Sequence, residues 1–278
     1  MLKSCKRQLI SFGGACPFGC NHCYTFSQEY QHNASASIQE IVKSLSGKDF
    51  DIVYVSGHRE NFVDPDKGLA LCEAVFDEYD VDILFTTRAI FNDAQSLRLM
   101  QFFDKMRSRG RNLFVCSSVS ATTSYRKLEP SPLVPSPNER MDFLKRVFDM
   151  GIFTILAIRP LCPSEFIPIE EPLEIVDKCH AFSSAVLSSG IVVEETVLKR
   201  LKAFPQFKSN GKEPLMNCLE NEGLLVEYVD VEKELAIIRE RCSNYGKELF
   251  TQSLPIVEAL RKGVRTNMAK YTVPLDAS

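Results

Sequence analysis

Cys16, Cys20 and Cys23 stand together in Cys16-Pro17-Phe18-Gly19-Cys20-Asn21-His22-Cys23-Tyr24, with the spacing C-x3-C-x2-C. Thiolates are metal ligands, and the intervening Pro and Gly let the backbone curl so that all three can approach one centre. Two kinds of centre suit them. A structural zinc ion takes four protein ligands, so His22 or a distant cysteine would have to complete the set. An iron-sulfur cluster held by only three thiolates leaves one iron open to an exogenous ligand, and chemistry can then take place there.

The elements that must position this loop alternate along the chain. Gln8 to Phe12 reads as a strand ending at Gly13-Gly14, and Asp51 to Val55, Asp82 to Thr86, Leu113 to Ser118, Ile152 to Ile158 and Ala185 to Val193 read as five more. Between them lie helices near Ser37 to Leu45, Lys67 to Tyr79, Asp93 to Gly110, Ser136 to Gly151 and Pro172 to His180. The clearest start signal is Ser136-Pro137-Asn138-Glu139, a capping box with proline at the first helical position. Beyond the sixth strand the pattern is helical and polar, around Val231 to Cys242 and Ser253 to Lys262.

Regular strand-helix repetition predicts parallel β/α units, because parallel neighbours need crossover connections of this length. The expected fold class is α/β, a partial (β/α)6 TIM-like barrel with a helical C-terminal extension. Residues 1–198 would form the barrel, and residues 199–278 an extension closing the substrate cavity. In such folds reactive groups gather at the carboxyl ends of the strands. The cysteine loop leaves the first of those ends.

Composition restricts the partners. The chain has 278 residues, 45% of them hydrophobic, and 33 Lys+Arg against 36 Asp+Glu give a net charge of −3. That balance supplies no electrostatic footprint for duplex DNA, so a small-molecule or nucleobase substrate is expected. Ten cysteines with an ordinary core composition point to a reducing cytoplasm and not to a secreted disulfide framework. Cys5, Cys72, Cys116, Cys162, Cys179, Cys218 and Cys242 are scattered singly, as small buried hydrophobes are. The N-terminus is too short in apolar residues for a signal peptide, and no run reaches a membrane-spanning length, so a cytoplasmic protein without a membrane is expected.

The cysteine spacing, with His22 before the last cysteine, resembles the cluster loop of the radical S-adenosylmethionine (SAM) superfamily. The resemblance implies that Cys16, Cys20 and Cys23 hold a [4Fe-4S] cluster whose fourth iron takes the amino and carboxylate groups of SAM. One-electron reduction by an external donor of flavodoxin or ferredoxin type would then yield a 5'-deoxyadenosyl radical. His22 would lie on the adenine side of SAM, and Tyr24 is either a further cofactor contact or a core aromatic.

Ser56-Gly57-His58-Arg59-Glu60 follows the second strand, where the family often carries a glycine-rich segment that meets the amino group of SAM. Here there is one glycine, but Glu60 can bind a protonated amine through charge-assisted hydrogen bonds. The alternative is a tight turn with solvated charges. Further along, Thr86-Thr87-Arg88, Ser118-Val119-Ser120, Leu128-Glu129-Pro130 and Arg159-Pro160-Leu161-Cys162-Pro163 follow one another in an order similar to the spore photoproduct lyase branch.

In that branch a lysine in the place of Arg88 and a serine near Ser118 or Ser120 contact the SAM carboxylate; arginine can do this through two parallel bonds. The alternative is that Arg88 makes a structural ion pair and one of the serines only caps backbone groups. Glu129 and Arg140 are expected to form a structural pair. Arg159, at the carboxyl end of the fifth strand, would bind the cofactor or an anionic substrate, or else make a salt bridge at the barrel rim. Cys162 is either a hydrogen-atom donor, catalytic alongside Glu60, or an inert buried thiol. No cysteine lies between Ser56 and Leu71, where the DNA-repair lyase has its hydrogen donor. The implied reaction is therefore cleavage of a C–C or C–N bond in a small molecule or modified nucleobase, and queuine lyase is a candidate from the same branch. The rivals are a non-enzymatic zinc-binding interaction protein and a radical SAM enzyme that modifies a polypeptide or nucleic acid.

Overall fold

The computed structural model describes residues 6–26, 35–55, 59–193, 195–201, 209–214 and 225–263. Seven parallel strands form one curled, open sheet: β1 (Arg7–Ile10), β2 (Ile52–Val55), β3 (Asp82–Thr87), β4 (Leu113–Ser118), β5 (Phe153–Leu161), β6 (Ala185–Gly190) and, at the far edge, β10 (Leu249–Phe250). The first six pair in chain order, the half-barrel expected of consecutive β/α units. A separate antiparallel sheet has the order β7 (Val192–Val193), β9 (Leu225–Val229) and β8 (Ser209–Pro214). Its strands are two to six residues long, too short to carry a periodic signal. The expected sixth strand is thus divided between two sheets after Gly190, where a side chain would collide with the Val229 carbonyl oxygen at 2.6 Å.

The helices start where local chemistry tells them to. Ser37 caps Ile38–Ser44, and Ser136 caps Pro137–Asp149, each in a reciprocal capping box with a glutamate three residues on. Asn92, one residue before the expected Asp93, caps Asp93–Ser108 in the same manner with Gln95. The C-terminal part holds the two expected helices, Glu232–Asn244 and Ser253–Arg261, in addition to its strands.

Successive strand side chains point to opposite faces, and that alternation divides the core. Val53, Val55, Ile83, Phe85, Leu113 and Val115 face outward and pack on Leu69, Phe76, Leu99 and Phe102 of the surrounding helices. The alternate residues Ile52, Tyr54, Leu84, Phe114, Cys116, Ile155, Ala157 and Leu187 face the concave side, where Ile256, Val257 and Leu260 cover them. Arg261 donates to Asp82 at 2.7 Å and to the Asp51 carbonyl at 3.0 Å, both at strand starts. The helix Ser253–Arg261 therefore plugs the amino-terminal end of the half-barrel, opposite the cysteine loop.

Candidate functional site at the carboxyl ends of the strands

The cysteine loop leaves β1 through Gly13 and Gly14, both with positive φ (71° and 73°), a backbone path that disfavours side chains. At Gly14 an added Cβ would also meet Arg59 Nη1 at 3.1 Å. The loop then turns tightly, with the Gly19 amide on the Cys16 carbonyl (3.4 Å) and the Cys23 amide on the Cys20 carbonyl (3.1 Å). Asn21 anchors it, donating its amide to the Leu128 carbonyl (2.7 Å) and its side chain to the Lys127 carbonyl (2.9 Å). Arg200 clamps it from the opposite side, reaching the carbonyls of Cys20 at 3.0 Å and Cys23 at 2.5 Å. No motif flags Arg200, which lies 177 residues beyond Cys23, so only the tertiary fold reveals this contact.

Cys20 is buried, and Cys16 and Cys23 are partly buried. Burial pushes the Cys16 thiol up and raises Cys20 to about 12. Such thiols stay protonated unless a cation compensates the thiolate. All eight cysteines among the described residues are free. Among those residues no three His, Cys, Asp or Glu side chains close on a point that would hold a single ion. A multi-iron cluster binds each thiolate to a different iron, so its ligands need not converge on one point.

Arg88 joins the loop to the barrel. It continues the inward row of β3, and its Nη2 lies 3.2 Å from His22 Nε2 and donates to the Arg159 carbonyl at 3.3 Å. Its Nε donates to Glu129 at 2.6 Å. Arg140 donates to the same carboxylate at 2.7 and 3.2 Å, and to the Ser118 carbonyl at 2.6 Å. Glu129 and Arg140 are both fully buried, which is the expected structural pair. Burial by itself would raise the Glu129 pKa, but the guanidinium groups of Arg140 and Arg88 outweigh it and hold the carboxyl at about 2.

His22 is held neutral by the same surroundings: burial, and then the Arg88 charge, lower its pKa to about 3. If Nε2 accepts from Arg88, the proton sits on Nδ1, a buried atom without a well-formed hydrogen bond, with the Leu128 backbone as the ring's neighbouring acceptor. Burying a polar atom unsatisfied is costly, and an atom of this kind beside three free thiols suits a bound polar ligand. This is the observation on which the site fits SAM.

Glu60 is buried at the turn after β2, and its carboxylate accepts from the Arg88 amide (2.7 Å), Thr87 Oγ1 (2.8 Å) and the Phe62 amide (3.0 Å). Burial raises its pKa against these bonds. Its first visible role is to tie the β2 turn to the end of β3. The Ser118 and Ser120 hydroxyls both donate to the Arg159 carbonyl, at 3.0 and 2.5 Å. Tyr24 begins the short helical turn Tyr24–Phe26 and packs at the edge of a core cluster. Cys162 continues the outward row of β5 and is buried among Val119, Leu161 and Ile167, away from the concave face. Ser56, Gly57, His58, Cys5 and Cys218 lie outside the described residues.

No protein-family model matches the chain, and no curated protein sequence does. Solved structures resemble it in fold. TsrM from Kitasatospora setae, a radical S-adenosylmethionine methyltransferase solved with tryptophan and a SAM analog, matches with a TM-score of 0.59 at 12% identity, over 94% of this chain and 62% of that one. SuiB from Streptococcus suis, bound to the precursor peptide SuiA, matches with a TM-score of 0.58 at 12% identity, over 94% of this chain and 52% of that one. SuiB bound to S-adenosylmethionine gives 0.51 at 13% identity, over 70% and 45%. The chain thus spans about half the length of these structures, and it shares the half-barrel fold of a radical SAM enzyme. Among the described residues, no helix is long and apolar enough to cross a membrane.

Proposed function

We propose that this chain is a radical SAM enzyme in which Cys16, Cys20 and Cys23 hold a [4Fe-4S] cluster and the strand ends around them hold SAM. The observation that carries the reading is placement: three free thiols follow the end of β1, and the strand-end residues Arg88 and Ser118, with Glu60 bonded to the Arg88 amide, lie beside their loop. When bound, such a cluster with SAM on its open iron supplies a 5'-deoxyadenosyl radical that takes a hydrogen atom from the substrate.

This chain's own residues do the rest. Neutral His22 presents Nδ1 to the adenine side of SAM. Arg88, already oriented by Glu129, presents a fixed positive charge beside the cysteine loop. Ser118 and Ser120 hold the end of β5 in register with β4, and they can exchange the Arg159 carbonyl for the SAM carboxylate. Glu60 ties the stretch after β2 to the end of β3 and is available to the amino group of SAM; Ser56 and Gly57, expected to meet that same group, lie outside the described residues.

The finer reading is cleavage of a C–C or C–N bond in a small molecule or modified nucleobase, of which queuine lyase is an example; the spore photoproduct lyase-like order of the Arg88, Ser118, Glu129 and Arg159 segments supports it. Residues 199–278 then complete the substrate cavity, and a flavodoxin- or ferredoxin-type protein supplies the electron. A second reading, peptide modification, is favoured by the likeness to SuiB with the precursor peptide bound.

Anaerobic reconstitution tests the reading. About four irons per chain and 5'-deoxyadenosine on reduction with SAM are expected, and bound zinc with no SAM cleavage would overturn it. Crosslinking of a peptide substrate, against turnover of a free nucleobase, separates the two finer readings.

A further inference from the structure

Arg159 continues the inward row Phe153, Ile155, Ala157 of β5, so its guanidinium points into the concave space above the apolar floor. It is the site's least explained cation. Its Nη2 donates to the Thr251 carbonyl at 2.5 Å, while Nε is buried without a partner. Among the described residues no carboxylate pairs with it, whereas Arg88 and Arg140 share Glu129.

Tyr54 and Cys116 face Arg159 from β2 and β4, and burial raises the pKa of both, so neither supplies a counter-charge near pH 7. Burial lowers the Arg159 pKa accordingly. Tyr54 and Thr86, on neighbouring strands, exchange a hydrogen bond of 2.8 Å on the same concave face. Arg159 is partly buried, and a cation whose Nε is buried without a partner or a counter-charge suits a ligand that supplies the missing charge.

We propose that Arg159, with the Tyr54 hydroxyl beside it, binds a carboxylate of the substrate inside the half-barrel. The Arg159 fork can engage both oxygens of a carboxylate, while the neighbouring cations are otherwise held, Arg7 over the Tyr54 ring at 5.4 Å and on Ser253 Oγ, and Arg88 on Glu129. SAM carries a carboxylate too. However, of the two cations Arg88 is the one in contact with the cysteine loop, its Nη2 3.2 Å from His22 Nε2, whereas Arg159 Nη2 reaches the Thr251 carbonyl at 2.5 Å. The cation nearer the cysteine loop is therefore Arg88, and Arg159 lies further inward. The proposal rests on the radical SAM reading only for the identity of the molecule that carries the carboxylate.

The experiment uses the full chain, with benzoate and its neutral isostere benzamide as probes in thermal unfolding and SAM in calorimetric titration. Benzoate should raise the Tm and benzamide should not. Arg159→Met should abolish the benzoate response, keep or raise the unliganded Tm because it removes an unpaired charge, and leave the SAM Kd within about twofold; Arg159→Lys should retain a weaker response. A benzoate response absent from the native chain, matched by benzamide, or kept in Arg159→Met would overturn the site. A tenfold or greater loss of SAM affinity in Arg159→Met, with benzoate competing against SAM, would give the carboxylate to SAM instead and overturn the assignment to substrate. An Arg159-dependent benzoate response without 5'-deoxyadenosine formation would leave the anion site standing while the radical SAM reading fell.

Discussion

Glu129→Gln should be among the most destabilising conservative substitutions in this chain. The carboxylate is fully buried and bonded to Arg140 at 2.7 and 3.2 Å and to Arg88 at 2.6 Å. Its carboxyl is held at about 2 against an ordinary 4.5, and a shift of that size corresponds to about 3 kcal/mol favouring the ionised form in the folded state. The amide keeps the shape and removes the charge, leaving buried Arg140 and partly buried Arg88 without their counter-charge, and breaking a buried pair in this way costs about 3–5 kcal/mol.

The expected loss of Tm is roughly 6–12 °C. The pH dependence carries a definite sign. A depressed folded-state pKa contributes stability that is present above the unfolded value and lost as the pH falls through the folded one, so the native chain should lose this contribution between pH 4.5 and about 2. Urea unfolding of the native chain, Glu129→Gln, Arg140→Met and the double variant, at neutral and acid pH, measures both quantities. Glu129→Gln should cost less in the Arg140→Met background, where one of the two cations is gone. A loss under about 0.5 kcal/mol, or an unchanged acid limb in Glu129→Gln, would refute the reasoning, since surface substitutions lie within that range.

Two further substitutions probe the scaffold of the loop and of its neighbouring core. Arg200→Met frees the carbonyls of Cys20 and Cys23; backbone amides of the loop should exchange hydrogen faster, and iron retention after reconstitution should fall while the barrel stays folded, both measurable by mass spectrometry and iron assay. Gly68→Ala puts a Cβ 2.4 Å from the ring of Phe62, which is itself buried and packed against Phe85 with ring centroids 4.3 Å apart. Overpacking of about 1–3 kcal/mol should exceed the gain in helix propensity of about 1 kcal/mol, giving a net loss in urea unfolding.

The sequence by itself determined the order of the first six strands and the helices between them, the caps at Ser37 and Ser136, and the position of the cysteine loop after β1, because period-two and period-3.6 patterns and capping chemistry are local; the strands beyond Gly190 were not legible. It also located the Glu129–Arg140 pair as two oppositely charged residues flanking one connection. The tertiary structure decided which side chains share a space. Cys162 and Arg159 are three residues apart, yet one is buried with the outer helices and the other points into the concave side, because strand alternation and the register slip between Ile158 and Leu161 separate them. Arg200 reaches Cys20 and Cys23 from far along the chain, and Ser253–Arg261 plugs the amino-terminal end of the half-barrel. Such long-range contacts leave no periodicity to read, since they depend on how the sheet curls and which faces then need covering.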